Sequence, residues 1–303
     1  MSNAYNVADV NVRRTYYLII IFLIIVIVFG LLISIIFDSW FILLIAIAYA
    51  LISVLVSYWW SDRIVLSMLD AKEVSKDDYP ELYRMVENLC ITAGLPMPKI
   101  YILDEAQPNA FATGRDPEHA VIAFTKGLVN KLERSELEGV IAHELSHIKN
   151  RDMLIGSVVV VLVAVIAVLA RIYIRTSIFG GLRGGRGQAG AIMMLLGIIA
   201  AIILPIVATI IRLAVSRKRE YLADASAVLL TRYPEGLANA LKKISKDPNP
   251  MKKANEQTTS HLFISSPLRG QEKANWFNKL FMTHPPVEDR IQALKGKNIL
   301  DTE

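Results

Sequence analysis

The chain has 303 residues, 53% of them hydrophobic, and a mean hydropathy of +0.41, above the roughly 45–50% apolar share of ordinary soluble domains. A net charge of +5 without any basic block argues against a nucleic-acid binder. The one cysteine, Cys90, excludes an internal disulfide and reads as a buried reduced thiol within "ENLCITAG".

The apolar excess is clustered. Tyr16 to Phe37 is nearly all Ile, Leu, Val and Phe, and Trp40 to Trp60 is a second such run. Each is about as long as a helix needs to cross 30 Å of hydrocarbon. The first is too long for a cleavable signal peptide and is expected to be retained. Tyr16, Tyr17, Trp40, Tyr58, Trp59 and Trp60 stand at the run ends, where aromatic rings favour the interface. A polar segment, 61–153, follows. Its pattern predicts a helix at Pro80 to Ala93, strands near Lys99 to Leu103, Phe111 to Thr113 and Ala120 to Phe124, then helices at Thr125 to Leu132 and Ser135 to Asn150. Ser135 and Glu138 have capping-box spacing at the start of the last helix. Leu154 to Tyr173 and Ile192 to Val215 are a third and a fourth apolar run, joined by the flexible "GGLRGGRGQAG" loop. The closing segment, 216–303, predicts helices at Arg217 to Thr231 and Pro234 to Lys246, an aperiodic stretch from Asp247 to about Asn275, and a last helix from near Pro286. The chain therefore divides into a tail with two membrane helices (1–60), a first polar part (61–153), a membrane hairpin (154–215) and a second polar part (216–303).

"GVIAHELSHIKNRD" carries the chemistry. Residues four apart share a helix face, so the imidazoles of His143 and His147 can hold one ion. Glu144 lies within reach of a water on that ion, which is the HExxH pattern of zinc hydrolases. Catalytic zinc takes three protein ligands and leaves a position for water. Glu220, in "RKREYLADASA", is a candidate third ligand, with Asp224 one turn on. Glu138, Asp152 and Asp224 are rivals on spacing alone.

HELSH, an apolar hairpin and then ExxxD resemble the HtpX family of membrane zinc metalloproteases, relatives of the CAAX prenyl proteases. "NAFATG" at Asn109 to Gly114 and "THPPVEDRI" at Thr283 to Ile291 extend the resemblance over essentially the whole chain. It implies a mainly α membrane protein with four transmembrane helices and a zincin-like α+β protease domain containing a small sheet. It implies one Zn2+ bound by His143, His147 and Glu220, with Glu144 as general base. It further implies that Asn109 and His284 line the catalytic cleft and that Asp224 and Arg290 form a supporting ion pair. His119 and His261 have no neighbours at ligand spacing and read as surface residues.

If His147 and Glu220 share an ion, the chain between them must leave and return on one side, which the third and fourth runs allow. At 1.5 Å per helical residue the site then lies roughly 10 Å from the membrane boundary. Arg13, Arg14 and Arg63 flank the first pair of runs, whose connecting loop holds only Asp38. The positive-inside rule places tail and protease domain in the cytoplasm, in a multi-pass plasma-membrane protein. Arg171, Arg175, Arg183 and Arg186 in or beside the later loop run against that rule, so a shallow second hairpin stays open. The expected activity is zinc-dependent endopeptidase cleavage of membrane or misfolded proteins in protein quality control. His284 and Asn109 are expected to stabilise the oxyanion, peptide to add to the edge of the strand near Ala120 to Phe124, and Asp247 to Asn275 to act as a lid. The alternatives are a CAAX-type prenyl-protein protease and a non-catalytic membrane adaptor that keeps zinc for structure. Natural substrates, regulator and oligomeric state are not written in the sequence.

Overall fold

The computed structural model describes residues 4–36, 38–162, 217–249, 251, 262–264 and 285–296. Most of the third run, all of the fourth, the glycine-rich loop, His261, His284 and most of the Asp247 to Asn275 stretch lie outside the described residues.

Helices α1 (Ala4–Ile36) and α2 (Trp40–Trp59) follow the first two apolar runs, α1 starting three turns ahead of its run. A helix satisfies its own backbone, so a continuous apolar sequence can stay helical in lipid even when rich in Ile and Val. Windows of 26 and 20 residues, with mean hydropathies of 2.9 and 2.6, are long and apolar enough to cross a membrane. The two helices pack as a hairpin. A side chain at Gly30 would run into Ala46, so small residues let the backbones approach. Ile20, Ile24, Val28, Leu44, Leu51 and Leu55 stay exposed, as side chains facing acyl chains would.

The polar part begins with α3 (Ser61–Met68) and β1 (Lys72–Glu73), neither of which sequence periodicity predicts. The first is only two turns long. The second has two exposed charged residues, and it is a strand only through its pairing with β2. The predicted helix becomes α4 (Pro80–Ala93), opened by Pro80 and closed by Gly94 in the left-handed region (φ 67°). Strands β2 (Lys99–Leu103), β3 (Ala110–Thr113) and β4 (Val121–Thr125) complete a four-stranded sheet of order β1-β2-β4-β3. β4 runs parallel to β2 (Ile100 opposite Ile122) and antiparallel to β3 (Ala112 opposite Ile122). This corrects one expectation: with a neighbour on each side, β4 has no free edge to offer a peptide. The crossover from β2 puts β4 inside the sheet, and the outer strand beside it is β3.

Thr125 caps α5 (Lys126–Lys131) by accepting from Leu128 N–H. Next comes α6 (Arg134–Lys149), buried over most of its circumference, with β3, α4, α8 (Arg217–Thr231) and α9 (Pro234–Lys246) packed around it. The expected Ser135–Glu138 capping box is also corrected. The helix starts one residue earlier, and Glu133 and Glu136 form the box, with Glu133 N–H donating to Glu136 at 2.8 Å. Two overlapping patterns competed here. Glu136 wins because it is buried and also accepts from Lys243 of α9 at 2.8 Å, whereas Glu138 turns outward to Arg134 at 3.1 Å. Arg151, in a left-handed conformation (φ 55°), separates α6 from the apolar helix α7 (Asp152–Leu162). Leu154, Val158 and Leu162 of α7 pack with Ile19, Phe22, Val26 and Ala50 of the first hairpin. The last described helix is α10 (Val287–Leu294).

Candidate metal centre

Three helices that are distant along the chain meet at one point. α6 supplies His143, Glu144 and His147, α8 supplies Glu220 and Asp224, and α10 supplies Arg290. The i, i+4 spacing aims both imidazoles the same way, and their Nε2 atoms stand 3.1 Å apart. Glu220 places its carboxylate oxygens 3.8 Å from Nε2 of His143 and 3.7 Å from Nε2 of His147. Ligands around a tetrahedral ion at about 2.0–2.1 Å are roughly 3.3 Å from one another, so this donor set fits a divalent cation.

The remaining imidazole nitrogens are fixed. His143 Nδ1 lies 2.9 Å from Asp224 and His147 Nδ1 lies 3.0 Å from Asp152. A carboxylate on Nδ1 sets the tautomer that leaves the Nε2 lone pair for metal. Arg290 grips Asp224 with two donors, at 2.8 and 2.6 Å, donates to the Ile264 carbonyl at 3.1 Å and stands 3.4 Å from Glu220. It is fully buried. Burial favours the neutral acid of Asp224, but Arg290 outweighs it and holds the carboxyl below the usual range.

Glu144 is buried beside the pair. Burial pushes its carboxyl up to about 7, Glu220 adds to the rise, and His147, Arg290 and the Ala112 N–H oppose it. Burial likewise disfavours a charged His147, yet the Asp152 hydrogen bond, with Glu220, lifts it to about 9. His143 goes the other way, lowered by burial against the pull of Asp224. A neutral imidazole is the ligand form, so cation binding displaces any proton on Nε2.

The structure thus brings together His143, His147, Glu144, Glu220, Asp224 and Arg290. Among the rival ligands, Asp224 and Asp152 bond the far sides of the imidazoles, and Glu138 pairs with Arg134. Asn109 is fully buried at the head of β3. Its N–H donates to Thr125 Oγ1 at 2.8 Å and its Nδ2 faces Met251 Sδ at 3.9 Å. His119 is exposed and bonded to Asp116 at 2.6 Å, and Cys90 is buried, its thiol pushed up to about 11. Sequence reasoning missed Asn11 and Arg219, which both reach Asp152, at 2.7 and 3.5 Å. No local pattern announces either contact, because each joins residues more than sixty positions apart.

A family model described as peptidase family M48 matches residues 76–298. A "Protease HtpX homolog" of Syntrophobacter fumaroxidans is 46% identical over 256 residues, 84% of this chain and 89% of the relative. One of Listeria monocytogenes serotype 4b is 44% identical over 301 residues, 94% of this chain and 97% of the relative. Among solved structures, Ste24p of S. mikatae aligns with a TM-score of 0.50 at 21% identity, over 91% of this chain and 62% of that one.

Proposed function

From the premise that the chain belongs to peptidase family M48 and is a membrane metalloprotease, we propose that it is a zinc endopeptidase cleaving membrane or misfolded proteins at the cytoplasmic face. The observation that carries this is the convergence of His143, His147 and Glu220 beside a buried carboxylate, Glu144.

His143, His147 and Glu220 would hold the zinc, which would supply a Lewis acid for the scissile carbonyl and lower the pKa of the attacking water. Glu144 takes the proton from that water and returns it to the leaving amine, a task suited to a carboxyl near neutrality. Asp224 and Asp152 hold the imidazoles in orientation, and Arg290 keeps Asp224 ionised. Asn109 and His284 remain the proposed oxyanion donors. For substrate the reading moves to β3. Its register turns Ala110 and Ala112 away from β4. Ala112 N–H meets Glu144 and the Ala110 carbonyl accepts from Ile264 N–H at 3.0 Å. A peptide entering along this edge would exchange these partners for its own main-chain groups, with little demand on its side chains. The four apolar runs are read as four membrane crossings, and the arginines flanking the first pair place tail and protease domain on the cytoplasmic side by the positive-inside rule.

The test is Glu144→Gln, measured for zinc content and for cleavage of an unfolded casein-like substrate. Zinc should stay stoichiometric while cleavage disappears. A fully active Glu144→Gln protein sinks the reading. Prenyl-protein cleavage is the alternative use of the same chemistry, and preference for prenylated over unmodified unfolded peptide would favour it.

A further inference from the structure

Helix α1 reaches toward the metal site through Asn11, 65 residues ahead of the segment matching the protease family. Asn11 of α1 is buried, 1% exposed. Its Nδ2 amide has two hydrogens and both are used. One goes to the Asn150 carbonyl at 2.9 Å, the other to Asp152 Oδ1 at 2.7 Å. Asp152 Oδ2 in turn holds His147 Nδ1 at 3.0 Å. The three links form a line from a membrane helix to a ligand of the ion.

The place where the amide lands matters. Asn150 ends α6, Asp152 begins α7, and Arg151 between them takes a left-handed conformation that a non-glycine residue adopts at a cost. The Asn150 N–H bonds back to Ser146, but its carbonyl is past the end of the helical ladder. Asn11 therefore clamps both sides of a strained joint with one rigid group. It also fixes the carboxylate that sets the tautomer of His147. Arg219, 3.5 Å from Asp152 Oδ1, supplies charge there, while the short bond from the uncharged Asn11 amide to the carboxylate supplies direction. Around the amide, α1 is held by the apolar packing of Phe22 and Val26 on Leu154 and Val158 of α7, so Asn11 has a fixed height relative to the joint.

We propose that Asn11 is a positioning residue of the metal site: through Asp152 it orients His147, making the first membrane helix a working part of the protease centre rather than only its anchor. This rests on the metal reading above.

The experiment uses full-length protein in detergent and reads Zn2+ affinity by competition with a chromophoric chelator. Asp152→Ala should lose about 10- to 100-fold in affinity, as outer hydrogen-bond partners of metal ligands do. Asn11→Ala should lose about tenfold. Combined with Asp152→Ala it should add less than about twofold, because residues acting through one another are not additive. Asn11→Asp keeps the volume but sets a carboxylate against Asp152 and the Asn150 carbonyl. It should lose at least as much, and it carries the measurement if the alanine variant does not fold. Ser34→Ala, at the far end of α1, should bind like the parent. Parental affinity in both Asn11 variants, or a loss that persists undiminished on Asp152→Ala, overturns the assignment. Failure of the parent chain to bind zinc would instead refute the metal reading.

Discussion

At the scale of single residues, the site is governed by a few buried charges, each held by a named partner. Arg290 shows it best. Its guanidinium is entirely out of solvent, Asp224 and the Ile264 carbonyl accept from it, and Glu220 stands 3.4 Å away. Truncating one partner of such a pair leaves an uncompensated buried charge, which costs about 3–5 kcal/mol. Arg290→Ala should lower the chemical-denaturation stability of the detergent-solubilised protein by about that amount. It should also weaken zinc binding, since Asp224 would lose the neighbour that orients it toward His143. Unchanged unfolding would mean that the Asp224–Arg290 pair does not form in solution. How legible was this in the sequence? The imidazole pair and Glu144 follow from a five-residue spacing. Glu220 was one of four carboxylates that spacing alone left open, and only the meeting of α6 with α8 separates it from Asp152, Asp224 and Glu138. Only the family resemblance pointed to Arg290, because burial is a tertiary property that its spacing does not announce. Asn11 had no local signal, lying just ahead of an apolar run that reads simply as membrane anchor.

At the scale of elements, α6 is the pivot and its packing leaves little room. A methyl group on Gly139 would stand 2.7 Å from the Leu237 backbone nitrogen and 2.9 Å from its Cα, so α9 would have to move. Overpacking of this kind costs about 1–3 kcal/mol. Gly139→Ala is expected to lower the unfolding midpoint accordingly, despite the better helix propensity of alanine. A midpoint at or above the parent's would show that the α6–α9 contact is looser than described. Strands β2 and β3 and helices α4, α8 and α9 were readable from periodicity and from their Pro and Gly punctuation. What was not readable was order in the sheet. Val121 to Thr125 is as apolar as an outer strand facing a cleft would be, and only the parallel crossover from β2 reveals that both its sides are taken. The helix start was displaced for a related reason: Lys243, more than a hundred residues away, decides which glutamate closes the box.

At the scale of the whole molecule, the protease part sits against the end of the membrane hairpin. Arg115, in the turn between β3 and β4, stacks over the Trp59 ring 4.8 Å from its centre, and Tyr58 meets Trp59 edge-on. Aromatic residues at this level mark an interface, so that turn should lie at the headgroups on the side of the α2 C-terminus. In the proposed orientation that side is cytoplasmic, which leads to a labelling prediction. In a Cys90→Ala background, Asp38→Cys should react with a membrane-impermeant thiol reagent added to intact cells, and Glu118→Cys only after the cells are opened. The reverse pattern would invert the proposed orientation.

The buried groups around the imidazoles also have a collective property. Among the described residues, Glu144, Asp152, Glu220 and Asp224 bring four carboxylates into that interior, and Arg219 and Arg290 bring two guanidinium groups. With both imidazoles neutral, the form that binds a cation, and Glu144 ionised, the cluster carries an excess of two negative charges. A double positive charge at the focus of the ligands restores electroneutrality, so the protein matrix selects for ion valence even before ligand chemistry and shape select among elements. Neutralising either arginine would leave the cavity over-attractive, and neutralising Asp152 or Asp224 would leave it under-compensated. The outer residues therefore tune the trap electrically as well as by alignment.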